Sequence, residues 1–117
     1  MSLKSIVFSL ICMLSANAAL AHSKMAQSTP VEGSTVQAGL AKVTLGFSKP
    51  VRLMLVKVKN TSLSSNVKAE FTPASNYQTS FPFEVAPLSI GQHEITWTAV
   101  AEDGHVMKGT LSFKVAE

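Results

Sequence analysis

Short runs in which apolar and polar residues alternate do most to limit the folds open to this chain. Val43, Leu45 and Phe47 alternate with Thr44 and Gly46, and Val56 and Val58 with Lys57 and Lys59. Phe81, Phe83 and Val85 share one parity. Ile95, Trp97 and Ala99 alternate with Thr96 and Thr98, and Leu111, Phe113 and Val115 with Thr110, Ser112 and Lys114. Successive side chains of a strand point to opposite faces, so each run reads as a half-buried strand. A helix would need apolar residues every three or four positions, and little of that spacing is present. The Val, Ile, Thr, Phe and Trp residues of these runs suit a pleated surface.

Turn signals separate the runs: Thr29-Pro30, Glu32-Gly33-Ser34, Lys49-Pro50, Asn60-Thr61-Ser62, Thr72-Pro73, Ala86-Pro87, Ile90-Gly91 and Asp103-Gly104. Short strands with frequent turns predict an all-β sandwich or barrel. About seven strands in a domain of this length match an immunoglobulin-like β-sandwich with Greek-key connections. Trp97, the largest apolar group, is expected at the centre of the core. No repeat, linker or low-complexity segment divides the chain, so a single domain is expected.

The first residues follow a different logic. Lys4 precedes an apolar stretch, Ile6 to Leu14, and Ala19-Leu20-Ala21 follows. This is the pattern of a secretory signal peptide with an A-x-A cleavage site, so residues 1–21 are expected to be removed. The apolar stretch is shorter than the roughly 20 residues a membrane-spanning helix needs. The domain would then be residues 22–117, exported to a periplasm and not embedded in a membrane. The one cysteine, Cys12, lies inside the leader. The exported domain therefore has no disulfide, and packing alone must join its sheets.

Ten basic and seven acidic residues give the whole chain a formal charge of +3. No run of Lys or Arg exists, and Lys57 and Lys59 alternate as an exposed strand face would. The charge is too weak and scattered to argue for a nucleic-acid partner. The carboxylates form no evident catalytic pair, and no cysteine nucleophile, phosphate-binding glycine loop or serine motif is present.

Cleavage after Ala21 makes His22 the first residue of the exported protein. Its free α-amine and its imidazole can close a chelate ring on one metal ion. Asp103-Gly104-His105 adds a carboxylate and a second imidazole. Read alone, the first is a chance product of cleavage and the second a hairpin turn with polar flanks. Together, in an exported β domain without cysteine, they form a nitrogen and oxygen set that suits Cu(II). His93 is expected to be structural or solvent-facing. Met25, Met54 and Met107 are dispersed and read as core or edge filler.

These residues resemble the periplasmic copper-resistance protein C (CopC-like) family of small copper-binding β-sandwiches. The resemblance is carried by Ala21-His22, Ser28-Thr29-Pro30, Leu45-Gly46-Phe47-Ser48, Gly91, Trp97-Thr98-Ala99-Val100, Asp103-Gly104-His105 and Gly109-Thr110-Leu111-Ser112-Phe113-Lys114-Val115. It implies a Cu(II) site made by His22, through amine and imidazole, with Asp103 and His105. It also implies a non-enzymatic role in copper tolerance, storage or delivery, a monomer, and an inner-membrane copper transporter as partner. Some members carry a methionine-rich Cu(I) site in a central loop, but residues 60–77 here contain no methionine. Many carry a histidine at the third mature position, where this chain has Lys24. Two alternatives stand beside this reading. One is a copper-dependent oxidative enzyme built on the same histidine brace. The other is a metal-free exported interaction module.

Overall fold

The computed structural model describes residues 25–117. The expected leader and His22 lie outside the described residues. Those residues form eight strands and no helix: β1 (Met25–Thr29), β2 (Thr35–Gln37), β3 (Lys42–Asn60), β4 (Ser65–Val67), β5 (Ala69–Glu70), β6 (Gln78–Val85), β7 (Gly91–Ala101) and β8 (Val106–Ala116). The fold is the expected all-β Greek-key sandwich. Its strands run in the order β2-β8-β7-β3-β6-β5, with β1 and β4 both joined to β3.

The 19-residue β3 organises the molecule. Its first part pairs antiparallel with β1 and β6, from Lys42↔Glu84 to Gly46↔Ser80 along β6. Its second part pairs with β7, from Val51↔Ala101 to Asn60↔His93, and with β4 at its end. One strand thus serves both layers, and the corner between them lies where β6 gives way to β7.

Lys49-Pro50 sits at that corner. A chain-reversing turn was expected there; the observed backbone continues as one strand, and its pairing with β6 shifts register between Gly46 and Val51. Proline has no N–H to give a ladder, so it is tolerated where the strand changes partners.

A second irregularity follows. Leu53 pairs with Ala99 but Leu55 with Thr98, so Met54 is the extra residue of a bulge. Before it Val51 and Leu53 face the core; after it Val58 and Asn60 do. One inserted residue switches which parity is buried. This is why the apolar run from Leu53 to Val56 does not alternate.

Both layers supply the core. Val43, Leu45, Phe47, Phe81, Phe83 and Val85 come from one, and Leu53, Ile95, Trp97, Ala99, Leu111, Phe113 and Val115 from the other. Phe47 meets Trp97 edge to face across the layers, with ring centroids 5.0 Å apart, and meets Phe81 in the same manner at 5.9 Å. Such geometry contributes beyond the area it buries. Trp97 takes the central place expected of it. Its partner across the β7–β8 ladder is Gly109, and a Cβ on Gly109 would collide with the indole ring.

His93 is fully buried, so its role is structural and not solvent-facing. Its ring stacks on Phe113 with centroids 5.5 Å apart, and its Nδ1 lies 3.1 Å from the Gly91 carbonyl oxygen. Asn60, read from sequence as part of a turn, is also buried. Its amide donates to Ser89 Oγ at 3.0 Å and to the Ile90 carbonyl at 3.3 Å, and its Oδ1 accepts from the Leu63 N–H at 3.1 Å.

Gly109→Ala is expected to destabilise the fold by about 1–3 kcal/mol, the usual cost of overpacking. Trp97→Ala should cost about 3–5 kcal/mol. Urea unfolding of both variants and their combination checks the contact itself. In the Trp97→Ala background the Gly109→Ala cost should largely vanish, because the colliding ring is gone.

Candidate metal centre

The hairpin between β7 and β8 carries the two expected ligands that lie within the described residues. The loop is residues 102–105, closed by the Ala101 N–H donating to the His105 carbonyl at 2.9 Å and the Gly104 N–H donating to the Ala101 carbonyl at 2.9 Å. Gly104 has φ +88°, a left-handed conformation that glycine adopts without steric cost. That turn swings the chain so that Asp103 and His105 face each other. The turn that Asp103-Gly104 signals in the sequence is present, and it brings the two side chains together.

The Asp103 carboxylate grips His105 twice. Its Oδ1 accepts from the His105 backbone N–H at 3.0 Å, and its Oδ2 lies 2.7 Å from His105 Nδ1. A carboxylate in this bond only accepts, so Nδ1 carries the hydrogen. The bond fixes the imidazole beside the carboxylate. A metal ligated at Nε2 would leave this bond in place, whereas one ligated at Nδ1 would replace it. Both side chains are open to solvent, His105 at 64% and Asp103 at 48% of full side-chain exposure. Both groups can therefore be reached from solution without unfolding the sandwich.

The surrounding strands place the hairpin at the corner of β3. Val51 pairs with Ala101, the last residue before the loop. β1 begins opposite Phe47, on the near side of the same corner. Among the described residues no three His, Cys, Asp or Glu side chains gather as a metal-sized group. His22, the third expected ligand, lies outside them. His93 is paired with Asn60 and Phe113 at the other end of β7, buried and remote in register from the hairpin. Met25, Met54 and Met107 sit on three different strands, with Met25 and Met107 packed against the core.

Comparison with known proteins places this architecture. The family profile described as the CopC domain matches residues 25–116. Copper resistance protein C of Pseudomonas syringae pv. tomato is 32% identical over 111 residues, which span 88% of this chain and 87% of that one. Copper resistance protein C of Xanthomonas campestris pv. juglandis is 28% identical over 97% of this chain and 95% of its own length. Among solved structures, PcoC, a methionine-rich copper resistance protein from Escherichia coli, superposes with TM-score 0.66 at 28% identity. That match covers 82% of this chain and all of PcoC. CopC from Methylosinus trichosporium OB3b shares the fold at TM-score 0.65 and 19% identity, over 80% of this chain and 93% of its own. A profile that spans nearly every described residue, with relatives alike over almost their full length, shows that this chain belongs to the CopC family of copper resistance proteins.

Proposed function

We propose that the chain is an exported, non-enzymatic Cu(II)-binding protein that holds or carries copper, with His22, Asp103 and His105 as its ligands. The observation that carries this reading is the Asp103–His105 pair, held together on a hairpin at the corner of the sandwich where β1 begins; for both to ligate one ion, the ion takes the place of the hydrogen between carboxylate and Nδ1. Residues 22–24 can extend over at most about 10 Å. A strand that started at the far end of the molecule could not deliver a terminal histidine to the hairpin; β1 starts at the near end. Removal of residues 1–21 in the periplasm is part of the proposal, because only then does His22 offer an α-amine. The names of the relatives support copper as the ion, and the nitrogen and oxygen donors favour Cu(II) over Cu(I). The ion is cargo here, passed on to an acceptor such as an inner-membrane copper transporter.

Retention of Ala21 tests the chelate directly. An added residue turns the amine of His22 into an amide, which binds only after losing a proton. Cu(II) affinity should fall at least about 10–100-fold, the loss that even an outer-sphere partner causes. Chelator competition on cleaved and uncleaved protein measures it, and equal affinities would remove His22 from the site.

Asp103→Ala and His105→Ala should each weaken Cu(II) binding to a similar degree and change its electron paramagnetic resonance spectrum. His93→Ala should leave copper binding intact while lowering stability, because it opens a cavity beside Phe113. If His93→Ala alters the copper spectrum as much as His105→Ala does, the ligand assignment is wrong.

Cu(II) affinity should decline steadily as pH falls, since protons compete for the amine and imidazoles. Reduction to Cu(I) should weaken binding. A tight, pH-independent Cu(I) complex with sulfur ligation in the same titration would instead point to the methionines.

A further inference from the structure

The cations that look scattered in the sequence converge on one face of the fold. On the layer β4-β3-β7-β8, residues of β7 with even numbers point away from the core. Their ladder partners define the outer face row by row. Val100 lies between Arg52 and Val106, Thr98 between Leu55 and Lys108, and Thr96 between Lys57 and Thr110. Glu94 lies between Lys59 and Ser112, and Gln92 lies beside Lys114. Lys57, Lys59, Lys108 and Lys114 are all exposed, and Arg52 stands at the rim with its Nε donating to the Ala74 carbonyl at 3.2 Å.

Glu94 is the one carboxylate in these rows, and none of the lysines is in an ion pair among the described residues. The ion pair of an acid with a lysine, Lys68 with Glu70, is elsewhere. The hairpin end of the face is apolar: Val106 is 62% and Leu55 47% exposed. A hydroxyl strip of Thr96, Thr98 and Thr110 fills the middle.

We propose that this face docks a protein partner through an acidic surface with an apolar patch at one edge, that edge seated beside the hairpin of Asp103 and His105. Charge complementarity selects the occupant. Four lysines and Arg52 outnumber Glu94 and Glu32, whose carboxylate accepts from the Ser112 N–H at the edge of the face; the excess of cations around a hydroxyl strip favours carboxylates, and Val106 with Leu55 gives an apolar anchor at one end. Neighbouring strands are about 4.8 Å apart and residues rise about 3.3 Å along each. The lysine roots therefore span roughly 10 Å by 20 Å, well below the about 800 Å² per partner of a stable interface. The encounter is transient and steered by charge. A carrier suits such a contact, since it must arrive quickly and leave. The docking itself does not depend on the copper assignment, and its test uses metal-free protein.

Nuclear magnetic resonance of the 15N-labelled, cleaved protein, titrated with poly-L-glutamate, reads the face residue by residue. Shifts are expected at Lys57, Lys59, Thr96, Lys108 and Thr110, and not at Lys42, Lys49 or Lys68 on other surfaces. They should vanish in K57E/K59E/K108E, whose substitutions are all at exposed positions. Affinity should weaken about tenfold as salt shortens the Debye length from about 10 Å to about 3 Å. Val106→Ser tests the anchor with a peptide in which glutamates flank a leucine cluster; it should weaken that peptide more than it weakens poly-L-glutamate. Shifts spread evenly over all lysines would overturn the proposal. So would perturbation of the face by phosphatidylglycerol vesicles with none by the polypeptides, which would assign it to a membrane. Loss of copper binding in His105→Ala with docking unchanged separates the two proposals.

Discussion

The indole of Trp97 occupies the space that Gly109 leaves empty, and the hairpin end of the sandwich is built around that contact. In a domain whose described residues contain no cysteine, packing must join the layers. Trp97 does so by meeting Phe47 of the opposite layer edge to face. The same ladder that pairs Trp97 with Gly109 continues through Ala99↔Met107 and Val100↔Val106 into the loop of Asp103 and His105. The loop is short, and its ends are fixed by a register that the aromatic contact holds. The position of the carboxylate–imidazole pair is therefore a result of core packing four rows away.

Much of this was legible in the amino-acid order, for a physical reason. Half-buried strands write their orientation into alternate residues, and the runs at Val43, Ile95 and Leu111 all turn the expected side inward. The features that escaped are those where alternation fails or where long-range pairing decides. Lys49-Pro50 has the composition of a turn, yet a strand that changes partners needs the same missing donor. The Met54 bulge hides in an apolar run with no preferred parity. His93 looks like any strand histidine until its burial against Phe113 is seen.

The candidate site was legible as chemistry more than as geometry. An aspartate and a histidine flanking a glycine suggest a donor pair, but only the left-handed Gly104 shows how their side chains meet. Charge was the least legible property. Lys57 and Lys59 stand far in the chain from Lys108 and Lys114, and nothing local indicates that β7 will lie between the two pairs. Sheet register, which is a property of the whole fold, turns separate charges into a surface.

The shared strand has a consequence for motion. β3 belongs to both layers, and its halves are joined by an unbroken backbone through the corner beside the hairpin. Each layer holds one part of that strand, so a layer that opens frees a segment still anchored in its neighbour. The shared strand thus couples the two layers. The hairpin loop can still rearrange on its own, since only its turn and its exposed side chains need to move. A rigid body with a responsive tip lets the exposed carboxylate and imidazole change partners without exposing the core to solvent.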